Sequence, residues 1–385
     1  MQKTTLNTLQ DCEDLLEGAL WMGTGGGGSY EEGLDLLREV MEEGFSLEWV
    51  KADDIPDSTW TVTVGLHGSI GALSEDTLKA ISQAELTENQ DEWYLITAVK
   101  ELGAFINHTF GCIVSGELGP GSVAISLAVS ARMGLPLVDG DYIGRAVPEE
   151  TQSTYCLFGK QSNMFTGVDR WGNIVIVKNG VNMHSLERMA KMLALASYGD
   201  IAVATTPLPA NEMKEILVPG TITRCLEIGR TLRKAREDGS DPINAGLELV
   251  NGWRLFDGIV SRLEIEDRDG YYFGTAYIDG TGVSAGQKLE VWFKNENHIT
   301  WLNGSPWVCS PDLVTFLDSK SGRGIYNSAL KEGDEITAVG MKGLEGFRTE
   351  LGLSLLGPEH FGFEIDYVPI EELMVGTDSR IEEKP

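Results

Sequence analysis

Apolar positions at the start of the chain recur at helical spacing. Leu9, Cys12, Leu16, Ala19 and Leu20 fall on one face of "LQDCEDLLEGALWM", with Thr8 placed to cap it. A second stripe, Leu34, Leu37, Val40 and Met41, runs through "SYEEGLDLLREVMEEG", with Ser29 as cap and Glu31 and Glu32 in the first turn. Between the two helices lies "GTGGGGS". The period then alternates: strand-like "FSLEWV" and "WTVTVGLHG", helical "DTLKAISQAE" and "EWYLITAVKELGAF", strand "CIVSGEL", a helix "SVAISLAVSARMG" apolar on most sides, and strand "LPLVDGD". This order predicts an α/β layer with a largely parallel or mixed sheet.

From Met183 to Asp238 the pattern predicts mainly helix, with Ile222, Cys225, Ile228, Gly229 and Leu232 as one stripe. Beyond Asn251 it becomes the alternation of a β-rich region, with a hairpin expected at Asp269-Gly270. A chain of 385 residues exceeds the size at which one core keeps growing. Two domains are expected: 1–178, α/β and holding most of the site, and 179–385, a helical connector followed by the β-rich region.

Composition narrows the partners. Thirty basic against fifty-nine acidic residues give a formal charge of -29, which repels nucleic acid and anionic lipid and is read as a solvated acidic surface. Five cysteines, widely spaced and without a Cys-x-x-Cys pair, suggest neither a disulfide framework nor a structural zinc site. The opening residues lack an apolar signal core, and no segment approaches the roughly 20 apolar residues of a membrane helix. The expected setting is cytoplasmic, with a small-molecule partner and a homo-oligomer allowed on general grounds.

Gly25, Gly26, Gly27 and Gly28 stand just ahead of a helix start, where exposed amides attract anions. No Lys-Ser/Thr pair ends the run and a helix precedes it, so neither nucleotide-loop pattern is met and no nucleotide is expected. One glycine suffices for a sharp turn. Four in a row predict a backbone cradle for an anionic or polar small ligand.

The densest chemistry lies in "GLPLVDGDYIGRAVPEETQSTY". A strand ending in Asp139-Gly-Asp141 can present both carboxylates at the carboxyl edge of the sheet, where ligands of open α/β sheets bind. Arg145, Glu149 and Gln152 follow with charge and hydrogen-bonding capacity; the alternative is that Asp139 and Arg145 form a buried ion pair. Glu117 and His67 close two further strands, so three strand ends converge on one edge. His67, Glu117, Asp139 and Asp141 are also types that ligate a divalent metal such as zinc, although no metal-motif spacing is present. His184 opens a helix that could face the cleft; His298 and His360 fall in polar turns. Cys156 is a nucleophile only if its pKa is lowered, and otherwise a buried aromatic-strand cysteine.

At "GTGGGGSY", "GELGPGS", "GLPLVDGDYIGRAVPE" and "LER" (Leu186 to Arg188) the chain resembles the S-methyl thiohydantoin desulfurase family, found beside hydantoinase/oxoprolinase-type enzymes. The resemblance spans most of the chain. Departures are Gly119-Pro120-Gly121-Ser122, where the family commonly has a Gly-Gly-x-Asn type sequence, and Val147 in place of an aromatic. The resemblance implies hydrolytic removal of the methylthio group from a hydantoin-like ring, releasing methanethiol, within breakdown of ergothioneine-type compounds. It also implies Asp141 or Glu117 as base, Glu149 or His67 as proton donor, Asp139 accepting from a ring N–H, Arg145 orienting carboxylates, and Gly25 to Gly28, Gln152 and His184 around the substrate. Hydrolysis of a related hydantoin or lactam ring, or a noncatalytic role supporting a hydantoinase partner, are the alternatives.

Overall fold

The computed structural model describes residues 3–375 apart from 70, 72, 90 and 161. Thr8 caps α1 (Leu9–Met22): its Oγ1 accepts from Asp11 N while the Asp11 carboxylate accepts from Thr8 N. Ser29 Oγ accepts from Glu32 N at 3.3 Å to start α2 (Tyr30–Glu42).

The first sheet is built from β1 (Lys3–Leu6), β2 (Leu47–Val50), β3 (Trp60–Gly68), β4 (Phe110–Val114) and β5 (Leu137–Val138), then, past a short β6 (Gly140–Asp141), from β7 (Phe165–Val168), β8 (Ile174–Val177) and β9 (Asp200–Pro209). Its order is β1-β2-β5-β4-β3-β9-β7-β8. The inner four, β2, β5, β4 and β3, are parallel, and the strands outside them pair antiparallel. The expected mixed sheet is therefore present, layered with α3 (Glu75–Gln83), α4 (Tyr94–Ile106), α5 (Pro120–Met133), α6 (Thr154–Leu157), α7 (Met183–Ala196) and α8 (Ala210–Ile216). Along β4, Ile113 packs with Leu16, Leu37 and Leu127 in one core, while Cys112 and Val114 pack with Met213 and Ile216 in another. Alternate residues of the strand thus face two dry layers, which is why it reads as a continuous apolar run.

β9 corrects the reading of 183–238 as mainly helical. Its residues "DIAVATTPLP" are almost all buried, and it inserts between β3 and β7 in the middle of the sheet. Val, Ile and Thr favour extended backbone there. After β10 (Val218–Pro219), which pairs with β6, the chain does become helical in α9 (Thr221–Asp238) and α10 (Pro242–Val250).

The second sheet is wholly antiparallel: β11 (Trp253–Arg268), β12 (Tyr271–Gly280), β13 (Lys288–Lys294), β14 (Glu296–Leu302), β15 (Ser305–Cys309), β16 (Leu313–Asp318) and β17 (Glu335–Met341), in the order β15-β14-β13-β12-β11-β17-β16. The β11–β12 turn falls at Asp269 and Gly270, both at positive φ, as the Asp-Gly pair predicts. Phe256, Val260, Ile278, Val291 and Phe316 form its core.

Candidate functional site

Parallel strands lose their neighbours' backbone partners at their carboxyl ends and open a crevice there. In this protein β3 and β4 end at a pocket of about 730 Å³. His67, the penultimate residue of β3, lines it, as does Glu117, three residues beyond β4. Glu149 and Glu150 enter at a single 3₁₀ turn, Glu187 and Lys191 lie one helical turn apart on α7, and Glu296 arrives from the second sheet at the start of β14. Eight carboxylate side chains line the pocket against Lys191, Arg170 and His67.

Glu117 is held by two donors: Ser122 Oγ to Oε1 at 2.8 Å and Val147 N to Oε2 at 3.0 Å. Burial outweighs both bonds and pushes its carboxyl up to about 7. His67 Nε2 lies 3.1 Å from Glu150 Oε1. Burial works against charge on the imidazole, yet Glu150, with Glu187 behind it, raises its pKa; His67 in turn outweighs burial at Glu150 and lowers that carboxyl. Glu187 accepts from Glu150 N at 3.0 Å and from the Tyr271 hydroxyl at 3.3 Å, and Lys191 Nζ lies 4.0 Å from it while donating to Gly68 O. Donor atoms of His67, Glu150 and Glu187 all lie within 4.8 Å of one another.

The residues singled out in the sequence divide here. His67, Glu117 and Glu149 line the pocket. Glu149 is pinned by Lys294 and by His360 at 3.2 Å; burial would raise its carboxyl, but the two bases hold it down to about 2. It is thereby a poor proton donor. Asp139 does not line the pocket: its carboxylate turns to the start of α9, accepting from Thr223 N at 3.0 Å and Thr223 Oγ1 at 2.6 Å. Asp141 is fully buried behind the wall, closing its own turn by accepting from Ile143 N and Gly144 N, with its carboxyl pushed up by burial to about 7. One turn of extended chain at Asp139-Gly-Asp141 therefore sends both carboxylates into the scaffold.

Arg145 is also buried and outside the pocket. Its five N–H donors reach Ala146 O, Ser310 Oγ, Asp312 O, Thr24 Oγ1 and Asn297 O, tying the first unit to the second. It makes no ion pair with Asp139, so neither the substrate-orienting role nor that buried pair is what the structure contains. Gln152 is buried with Oε1 accepting from Glu149 N, and His184 is exposed on α7 away from the pocket. Cys156, part-buried, has its thiol pushed up to about 11 by burial and Glu150, the opposite of what a thiolate nucleophile needs. His298, expected in a polar turn, is instead fully buried in β14 beside Ser310 Oγ at 2.8 Å.

The glycines serve close approach. A Cβ on Gly27 would lie 2.5 Å from Gly119 Cα and one on Gly28 2.7 Å from Gly121 Cα, so two glycine loops pack backbone to backbone beneath the pocket. Gly27 O accepts from Ser122 N at 3.0 Å. Gly27 and Gly28 line the pocket; Gly25 and Gly26 do not, and face Asn327 and Glu296 of the second unit.

Glu150, Glu187, Lys191 and Glu296 were not singled out by the sequence. Glu150 sits in "PEE" beside Glu149, and Glu187 in "LER"; adjacency to a recognisable segment was the available signal. Nothing local marks Glu296, which sits in a strand distant in sequence.

The fold and pocket define a class: an α/β unit joined to an antiparallel β unit, with an acidic pocket at the strand ends of the first. Residues 10–179 match the family model described as "S-Me-THD-like, N-terminal domain" and residues 181–370 that described as "S-Me-THD-like, C-terminal domain". The chain belongs to the S-Me-THD-like family. No curated protein matches it. A crystal structure of a protein from Chromobacterium violaceum is similar in fold, with a TM-score of 0.71 and 19% identity over 96% of this chain and 100% of that one. Among the described residues no helix is long and apolar enough to cross a membrane.

Proposed function

We propose that this protein hydrolyses an S-methyl thiohydantoin-type ring to the hydantoin and methanethiol. The observation that carries this reading, beside membership of the family, is the meeting of Glu117 with the His67–Glu150 pair at one pocket formed where β3 and β4 end. The wall is acidic, which disfavours phosphates and other strong anions and suits an uncharged polar heterocycle.

In this reading water adds to the ring carbon that bears sulfur, a C–O bond forms, and the C–S bond breaks. Water supplies one proton to the ring nitrogen and one to the departing thiolate, so ring plus water equals hydantoin plus methanethiol. Glu117, with a carboxyl titrating at about 7, takes the proton from water, and His67, paired with Glu150, gives one to the nitrogen or sulfur. Ser122 and Val147 N keep the Glu117 carboxylate oriented.

A second way of activating water is favoured by one geometric fact, the close approach of the donor atoms of His67, Glu150 and Glu187. One imidazole and two carboxylates fit a divalent ion, which when bound would act as a Lewis acid and lower the pKa of water. Elemental analysis of the purified protein, before and after dialysis against a chelator, separates the two. Release of methanethiol from an S-methyl thiohydantoin tests the reading itself: no turnover, with or without added divalent metal, overturns it and favours a binding role beside a hydantoinase-type partner.

A further inference from the structure

Glu296 has no place in the chemistry above, yet it is the most tightly enclosed carboxyl on the pocket wall, with 2% of its surface exposed. It is carried by the tight β13–β14 connection, where Asn295 takes a positive φ of 57°. That connection is fastened by three hydrogen bonds from two residues: Asn295 N donates to Tyr272 O, Asn295 Oδ1 accepts from Tyr272 N, and Asn295 O accepts from Asn327 Nδ2. The side chain reaches across to the first unit and lies against the glycine run, so that a Cβ on Gly26 would overlap Glu296 Oε1. Its other oxygen, Oε2, has no hydrogen-bond partner among the described residues.

A buried carboxylate without a partner is costly, and the usual remedies are absent here. Glu296 makes no ion pair among the described residues, and the nearby Arg145 has committed all five of its donors to other oxygens. The charged and titratable groups around it are Glu117, Arg145, Lys191 and Tyr326. Burial and the Glu117 charge raise its carboxyl well above the ordinary range against the pull of Arg145 and Lys191.

The geometry points to Glu296 as a neutral carboxylic acid that presents its O–H to the pocket and donates a hydrogen bond to an acceptor on the bound ligand. The chemical class this selects is a ring bearing a carbonyl oxygen or an imine-type nitrogen, and it disfavours a carboxylate at that end. The second unit, which also lines the pocket with Asn295, Tyr326 and Ser328, thereby supplies a ligand-contacting acid to a pocket whose other carboxylates come from the first. In so far as the ring is a hydantoin, the inference rests on the hydrolase reading; the protonation of Glu296 does not.

The test uses the full chain, with Glu296→Gln, Glu296→Ala and Glu117→Gln. Infrared difference spectra at neutral pH are expected to show the carbonyl stretch of a protonated carboxyl that disappears in both Glu296 variants; persistence of the whole signal in Glu296→Gln overturns the inference. Titration with hydantoin is expected to show binding within about threefold of wild type for Glu296→Gln, whose amide still donates, and roughly tenfold weaker binding for Glu296→Ala. Equal binding by Glu296→Ala overturns the donated hydrogen bond. Should wild type bind no hydantoin, the ligand assignment fails while the infrared signal still decides the state of Glu296. Gly26→Ala, which displaces the Glu296 side chain without altering it, is expected to weaken hydantoin binding as Glu296→Ala does; if Glu296→Ala fails to fold, Gly26→Ala and Glu296→Gln decide.

Discussion

Two buried polar regions lie close together in this molecule and differ in one respect. Arg145 and Asp312 are both fully answered: the guanidinium donates to five oxygens, and the Asp312 carboxylate accepts from Arg348, Gly343 N, the Tyr367 hydroxyl and Ile370 N. In the pocket, Glu117 has two donors for a carboxyl pushed up to about 7, and Glu296 ends in an oxygen with none among the described residues. Saturated polar groups hold a joint together. Incompletely answered ones keep capacity for something that binds, at a cost in stability.

Substitutions that separate these two behaviours sharpen the contrast. The largest effect is expected at the joint: Arg145→Ala strands several carbonyl and hydroxyl oxygens and should destabilise the protein by about 3–5 kcal/mol, read as a fall in the urea midpoint. An unchanged midpoint would dissolve the distinction. Glu117→Gln is expected to act the opposite way, lowering methanethiol release at least about 100-fold while raising the unfolding midpoint at neutral pH. The sign follows from linkage. Between pH 4.5 and about 7 the unfolded Glu117 ionises while the folded one keeps its proton, so wild type loses stability across that window and the variant does not.

Glu149 gives an effect of intermediate size with the reverse pH sense. Its folded carboxyl is held near 2 by His360 and Lys294 against burial, so its contribution is whole above pH 4.5 and disappears as pH falls from 4.5 toward 2. Acid titration of unfolding should show up to about 3 kcal/mol lost over that window in wild type and less in Glu149→Gln. The smallest change is expected at His184: exposed and outside the pocket, its replacement by Ala should leave stability within about 0.5 kcal/mol and methanethiol release unaltered.

Much of the frame was legible in sequence because it is local. The Thr8 and Ser29 caps, the alternating α/β order and the Asp269-Gly270 hairpin all depend on residues a few positions apart. Strand ends at His67 and Glu117 were legible for the same reason. What sequence could not resolve is which way a side chain turns once its strand has ended: Asp139 and Glu117 both follow parallel strands, but Thr223, eighty-four positions away, takes the former out of the site. Arg145 looked like an anion receptor because its acceptors, Asn297, Ser310 and Asp312, are backbone and hydroxyl oxygens more than a hundred and fifty positions on. β9 was missed because an apolar run between two helices has no periodicity of its own to declare it a strand.

The position of β9 bears on how the chain must be made. Ribosomes deliver residues in order, and the strand that fills the gap between β3 and β7 is the last of the eight to be synthesised. Until residue 209 has emerged, the long β3 and the short β7 each leave a row of amides and carbonyls open on either side of the vacant slot. During that interval the nascent sheet presents edges to which other strands could add.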